Sequence, residues 1–154
     1  MIDLAQLRRF VVRPALEVLQ LGGVSAENLV LGTALAESGC RWLHQVGGGP
    51  AIGLWQCEPA THDDLWVWIA YHTDLAAAVR SLMTPQKRLD QLASNLAYAA
   101  AICRLHYRRV PAELPAAGDA AALSAYHKRW YNTPAGAADP VRNTPLFQQA
   151  IAAG

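Results

Sequence analysis

Apolar residues recur at steps of three and four along most of this chain. Leu4, Leu7, Phe10, Val11, Ala15, Leu16 and Leu19 fit one face of a helix over residues 4 to 20, which Pro14 should kink or restart. Leu21-Gly22-Gly23 ends it, and Ser25 is placed to cap a second helix with Glu27 in its first turn. That helix carries Leu29, Val30, Ala34 and Leu35 and ends at Glu37-Ser38-Gly39. From Gly39 to about Thr61 the periodicity stops, and Gly47-Gly48-Gly49-Pro50 and Gly53 mark a loop with at most a short β-hairpin. Helical spacing returns over 62 to 82. It is most regular over 86 to 108, where Leu89, Leu92, Leu96, Ala99, Cys103 and His106 mark a central buried helix. Residues 110 to 122 read as a connector, 123 to 130 as a helix, 132 to 141 as a surface tail and 145 to 152 as a last short helix. The pattern is mainly α and forms one domain over 1–154, without an internal repeat or a dividing linker.

Composition narrows the function classes. The chain is 53% hydrophobic and only 16% charged, against roughly 25% charged in an average soluble protein, so it builds a core rather than a disordered chain. A net charge of +1 gives no long-range pull on nucleic acid or an anionic membrane. Arg8-Arg9 and Arg108-Arg109 read as solvated faces. The three cysteines, 40, 57 and 103, are widely spaced, read as reduced thiols, and form no metal pattern with the five histidines. No cofactor or metal is expected. Apolar runs are too short for membrane insertion, and Met1-Ile2-Asp3-Leu4 lacks the character of a secretory signal, so the expectation is synthesis in the cytoplasm.

Glu37 is the leading candidate for chemistry. It follows an apolar run and precedes a glycine, so its helix is set in the core while its carboxylate opens into the space enclosed by the next loop. Desolvation there favours a protonated carboxyl, which a general acid requires. Five tryptophans add possible flat faces for sugar rings, with Trp55 or Trp42 the best placed. Trp66 and Trp68 sit two apart on a helix and must face differently.

Ala36-Glu37-Ser38-Gly39 followed by Gly53-Leu54-Trp55-Gln56 with Pro59 and Thr61 resembles the "E-S" and "G-L-M-Q-x-x-P-x-T" motifs of soluble lytic transglycosylases and goose-type lysozymes. Asn95 to Tyr107 resembles the helix that follows those motifs, and Ser124-Ala125-Tyr126 leading to Asn132 resembles their last motif, "A-Y-N-A-G". The likeness spans about 25–136 in the family's order, leaving 137–154 as a C-terminal tail and short helix. Trp55 stands where the family has methionine, Gly47 to Pro50 loosens the loop ahead of the second motif, and Tyr126-His127-Lys128-Arg129-Trp130-Tyr131-Asn132-Thr133 replaces the compact last one.

The resemblance implies a lysozyme-like fold and cleavage of peptidoglycan glycan strands between N-acetylmuramic acid and N-acetylglucosamine. Glu37 would be the catalytic acid and then base, with Ser38, Trp55, Gln56, Asn95 and Tyr126 at the substrate. The muramic 6-hydroxyl would close a 1,6-anhydro ring, so a second carboxylate is not required, unlike the usual glycosidase pair. A hydrolase is the first alternative, with Glu58, Asp63 or Asp64 as the second acid. The stretch Tyr126 to Thr133 resembles tail-associated phage members, which implies a virion component of the tail or baseplate that acts on the wall in the periplasm. Tail or baseplate proteins would then be its partners. A structural tail protein with little activity and an endolysin released by a holin are the remaining alternatives.

Overall fold

The computed structural model describes residues 1–132 and 136–154 and is mainly α, without a strand among them. Pro134 of the expected surface tail lies outside the described residues. The first helical run comprises α1 (Leu4–Leu7), a π-helical turn (Arg8–Val12) and α2 (Arg13–Val18). Pro14 is accommodated without a break. Just ahead of it the Arg13 N–H reaches back five residues to the Arg8 carbonyl, so the widened turn absorbs the distortion.

α3 (Val24–Ser38) is the scaffold of the molecule and is buried almost throughout from Ala26 to Leu35. Its N-cap is Gly23 and not Ser25, because the chain enters from Gly22-Gly23 in a conformation with φ 112°. Ser25 instead donates its hydroxyl to the Pro115 carbonyl at 2.6 Å, tying the connector to the helix start. Arg8 is likewise not on a solvated face. It is buried, pairs with Glu27 at 3.3 Å, and donates to Asn28 and to the Ala150 carbonyl. Gly39, with φ 60°, closes α3 and reverses the chain.

The loop after α3 holds isolated antiparallel bridges in place of a hairpin, His44 to Ile52 and Ile52 to Cys57. Gly53 is required at its bend. Its φ is 82°, and a Cβ there would stand 2.1 Å from the Leu92 carbonyl oxygen. α4 (Pro59–Ala70) and α5 (Thr73–Ser81) divide the expected 62 to 82 segment at Tyr71-His72. Trp66 is buried and Trp68 half-buried, as their opposed faces demand.

The expected helix over 86 to 108 is two pieces, α6 (Gln91–Ser94) and α7 (Leu96–Arg108). Two amide side chains break it. Gln91 is buried and folds back on Thr84 and Gln86, while Asn95 caps α7 by accepting the Tyr98 N–H at 3.1 Å. α7 is nonetheless the buried central helix, with Tyr98 to Leu105 inside. α8 (Ala120–His127) continues into a second π-helical turn (Lys128–Asn132), and α9 (Pro140–Ala152) starts earlier than its spacing suggested, because Asp139 caps it and Pro140 fits its first turn. α9 lies directly on α3, where Gly32 leaves room for the Phe147 ring 2.3 Å from where a Cβ would be. Among the described residues no helix is long and apolar enough to cross a membrane.

Candidate active site

The carboxylate that ends α3 faces a cleft of about 710 Å³, within the size range of small-molecule sites. Glu37, Trp42, Gln56, Glu58, Tyr131 and Asn132 are among its walls. Among the described residues no Lys or Arg lines it, so it is built for neutral hydrogen-bonding groups and not for an anion.

Glu37 is held at one oxygen. Its Oε1 lies 2.7 Å from Nε2 of His127, a fully buried side chain at the end of α8. The other ring nitrogen, Nδ1, is buried without a partner. A bare lone pair is less costly there than an N–H, so the proton sits on Nε2 and is donated to Glu37. His127 is packed between Tyr131, whose ring centroid is 5.9 Å away, and Phe147, at 5.8 Å. The Glu37 Oε2 takes no hydrogen bond from the described residues, and the Glu37 side chain is 16% exposed. One oxygen positions the group and the other is available for chemistry.

The remaining expected site residues divide sharply. Gln56 lines the cleft, in a left-handed conformation with φ 46° that costs roughly 1–2 kcal/mol outside glycine. Its amide donates to the Gly53 carbonyl at 2.8 Å and holds that turn. Ser38 is buried and donates to the Leu54 carbonyl at 2.7 Å, which fixes the loop to the end of α3 instead of presenting a hydroxyl to a ligand. Trp55 is not a sugar platform: it is fully buried, with its indole N–H on the Val30 carbonyl at 2.8 Å. Half-exposed Trp42 takes the place at the cleft wall.

Tyr126 is not beside Glu37. Its hydroxyl donates to the Ala112 carbonyl at 2.8 Å, the satisfied core tyrosine that its apolar neighbours Leu123 and Trp130 foreshadow. Asn95 is also away from the cleft, engaged as the α7 cap and donating to the Leu82 carbonyl. The tyrosine at the site is Tyr131, which donates to the Trp55 carbonyl at 2.7 Å. Burial pushes its phenol pKa well up, so it remains a donor.

His127 and Tyr131 escaped the sequence reading, although a signal was present. Residues i and i+4 share a helix face, and 127 with 131 form such a pair one step off the core stripe of Leu123, Tyr126 and Trp130. His106, also on the cleft, donates its Nε2–H to the Trp130 carbonyl at 3.1 Å, and burial, with Arg109 nearby, lowers its pKa to about 4. Of the other acids considered, Glu58 lines the cleft. Asp63 and Asp64 are exposed, with Asp64 paired to Arg109 at 2.6 Å. No protein-family model matches the sequence, and neither a curated protein nor a solved structure matches the chain.

Proposed function

We propose that this protein is a peptidoglycan lytic transglycosylase of lysozyme-like fold, with Glu37 as the sole catalytic carboxyl. The observation that carries the reading is the half-held Glu37: one oxygen fixed by buried His127, the other without a partner among the described residues, in a cleft that no described Lys or Arg lines. With Oε1 accepting from His127, the acid proton resides on Oε2. Oε2–H protonates the glycosidic oxygen, and the bond from that oxygen to C1 of muramic acid breaks. The muramic 6-hydroxyl then attacks C1 and gives its proton back to Oε2, which closes the anhydro ring and restores the acid. His127 stays in place through both steps and keeps the carboxyl from rotating.

Purified protein and Glu37→Gln on isolated sacculi test the assignment. Anhydro ends released by the first and a loss of at least about 100-fold in the second are expected. Equal activity would remove Glu37 from the mechanism. One observation favours a second reading, hydrolysis: Glu58 lines the same cleft and could hold a water. Product ends heavier by one water, lost in Glu58→Gln, would establish it.

The same reading places the protein in a phage tail or baseplate, on the resemblance of its segment from Tyr126 to tail-associated members, where it would open the wall during entry. Mass spectrometry of purified particles tests the location. Its presence there with inert sacculi assays would favour a structural role.

A further inference from the structure

The first helical run, α1 through α2, turns one face into the core, where Leu7, Val12, Leu16 and Leu19 are buried. Its outer face holds two parallel rows at steps of four, one of Phe10, Pro14 and Val18 and the other of Arg9, Arg13 and Glu17, all of them exposed. The first row is apolar. Phe10 is 64% exposed and Val18 41%, so a surface helix keeps a continuous apolar strip in water. Among the described residues no member of the run lines the cleft, whose first wall residue along the chain is Glu37.

The charged row says what fits against the strip. Arg13 is matched inside its own chain by Glu27, at 3.0 Å. Arg9 and Glu17 form no ion pair among the described residues, and they stand about 12 Å apart along the helix axis. A second copy of the same run, laid antiparallel with a two-fold axis beside Arg13 and Pro14, brings Arg9 of each copy opposite Glu17 of the other. The same operation sets Phe10 against Val18 and Pro14 against Pro14. A parallel arrangement would instead set like charges face to face, so the face is self-complementary in one orientation only. The two Arg13 side chains meet near the axis, where Glu27 already neutralises each of them. We infer that this face pairs with a second copy of the chain as an antiparallel two-fold dimer, with the apolar row at its centre and an Arg9–Glu17 pair at either end. The apolar row supplies the attraction and the end charges choose the orientation. Three apolar side chains from each copy fall short of the roughly 1,200 Å² of a stable complex, so the dimer is a weak one, with Kd on the order of 100 µM. The inference stands on no reading of the Glu37 cleft.

Sedimentation equilibrium between about 10 µM and about 1 mM reads the association. The wild-type mass should rise from 16.6 kDa toward twice that value. Phe10→Asp should weaken association at least about tenfold, with Val18→Asp as a second variant at the other end of the row. Arg9→Glu and Glu17→Arg should each weaken it about fivefold, since each sets like charges face to face, and the double variant should return it to within about twofold of the wild type. A merely structural role of either charge would give no such rescue. A wild type that stays monomeric at about 1 mM overturns the inference and leaves the row to a protein of other sequence. A dimer that both Phe10→Asp and Val18→Asp leave intact, or a double variant no tighter than the single ones, overturns it as well.

Discussion

Two glutamates ten residues apart on α3 have opposite fates. Glu27, in the first turn, is buried and surrounded by guanidinium groups: Arg8 at 3.3 Å and Arg13 through contacts of 3.0–3.2 Å. Glu37, in the last turn, has among the described residues the one contact to His127 and an oxygen left over. A carboxylate held at both oxygens by guanidinium groups is a structural tie, since its charge is matched within the fold. A carboxyl anchored at one oxygen in a cleft is pre-organised and still reactive. Burial alone does not separate the two, and partner count does.

The comparison breaks most visibly by removing each glutamate in turn. Glu27→Ala leaves Arg8 buried without its countercharge, which typically costs about 3–5 kcal/mol. At this chain length that corresponds to a fall of about 10 °C in melting temperature, measured by calorimetry. Glu37→Gln, nearly isosteric and at a partly exposed position, should change stability by less than about 1 kcal/mol while activity on sacculi falls about 10²–10⁴-fold. If Glu27→Ala melted like the wild type, or if Glu37→Gln stayed active, the contrast between the two ends of α3 would not hold.

Acid sharpens it next, because the cleft end holds a histidine displaced well below its ordinary titration. His106 is neutral in the folded protein down to a pKa of about 4, against 6.5 for the free side chain, through burial first and Arg109 second. The unfolded chain therefore binds the extra proton first as the pH falls. Stability from this group is complete above about pH 6.5 and is lost progressively toward pH 4, by up to about 3 kcal/mol. Urea melts at pH 7, 5.5 and 4 should show a steeper decline for the wild type than for His106→Gln. Identical slopes would remove His106 as the source.

How much of this was legible in the sequence follows the same division. The end of α3 was readable because its signals are local: an apolar run, then Glu37, then a glycine that must leave the helix. The glycine-marked loop came from the same kind of signal, while Gln56 was singled out by the resemblance. The start of α3 was not readable, since Arg8 is buried only because Glu27 and the Ala150 carbonyl, 142 positions away, converge on it. Adjacent residues were the hardest to separate. Tyr126 and His127 differ by one helical step, and which of them meets Glu37 depends on how α8 is rotated against α3 and α9. Trp55 is core for a similar reason: its indole had to find the Val30 carbonyl, a tertiary partner that no spacing specifies.

The smallest effect tests the finest part of the comparison, the residue beside Glu37. Ser38 was expected at the substrate, but its hydroxyl is spent on the Leu54 carbonyl and, at 3.2 Å, on the Ala34 carbonyl. Ser38→Ala removes one neutral hydrogen bond and leaves Leu54 without that donor, a loss of about 1 kcal/mol in a urea melt. A group that ties the loop to the helix acts on placement of the cleft wall and not on the sugar. KM for glycan strands should therefore stay within about twofold, with any loss confined to kcat. A tenfold rise in KM with unchanged stability would mean that the hydroxyl leaves Leu54 for the ligand. Ser38 would then stand with Glu37 among the groups that the cleft keeps available, and the line between tie and reactive group would run one residue further along the chain.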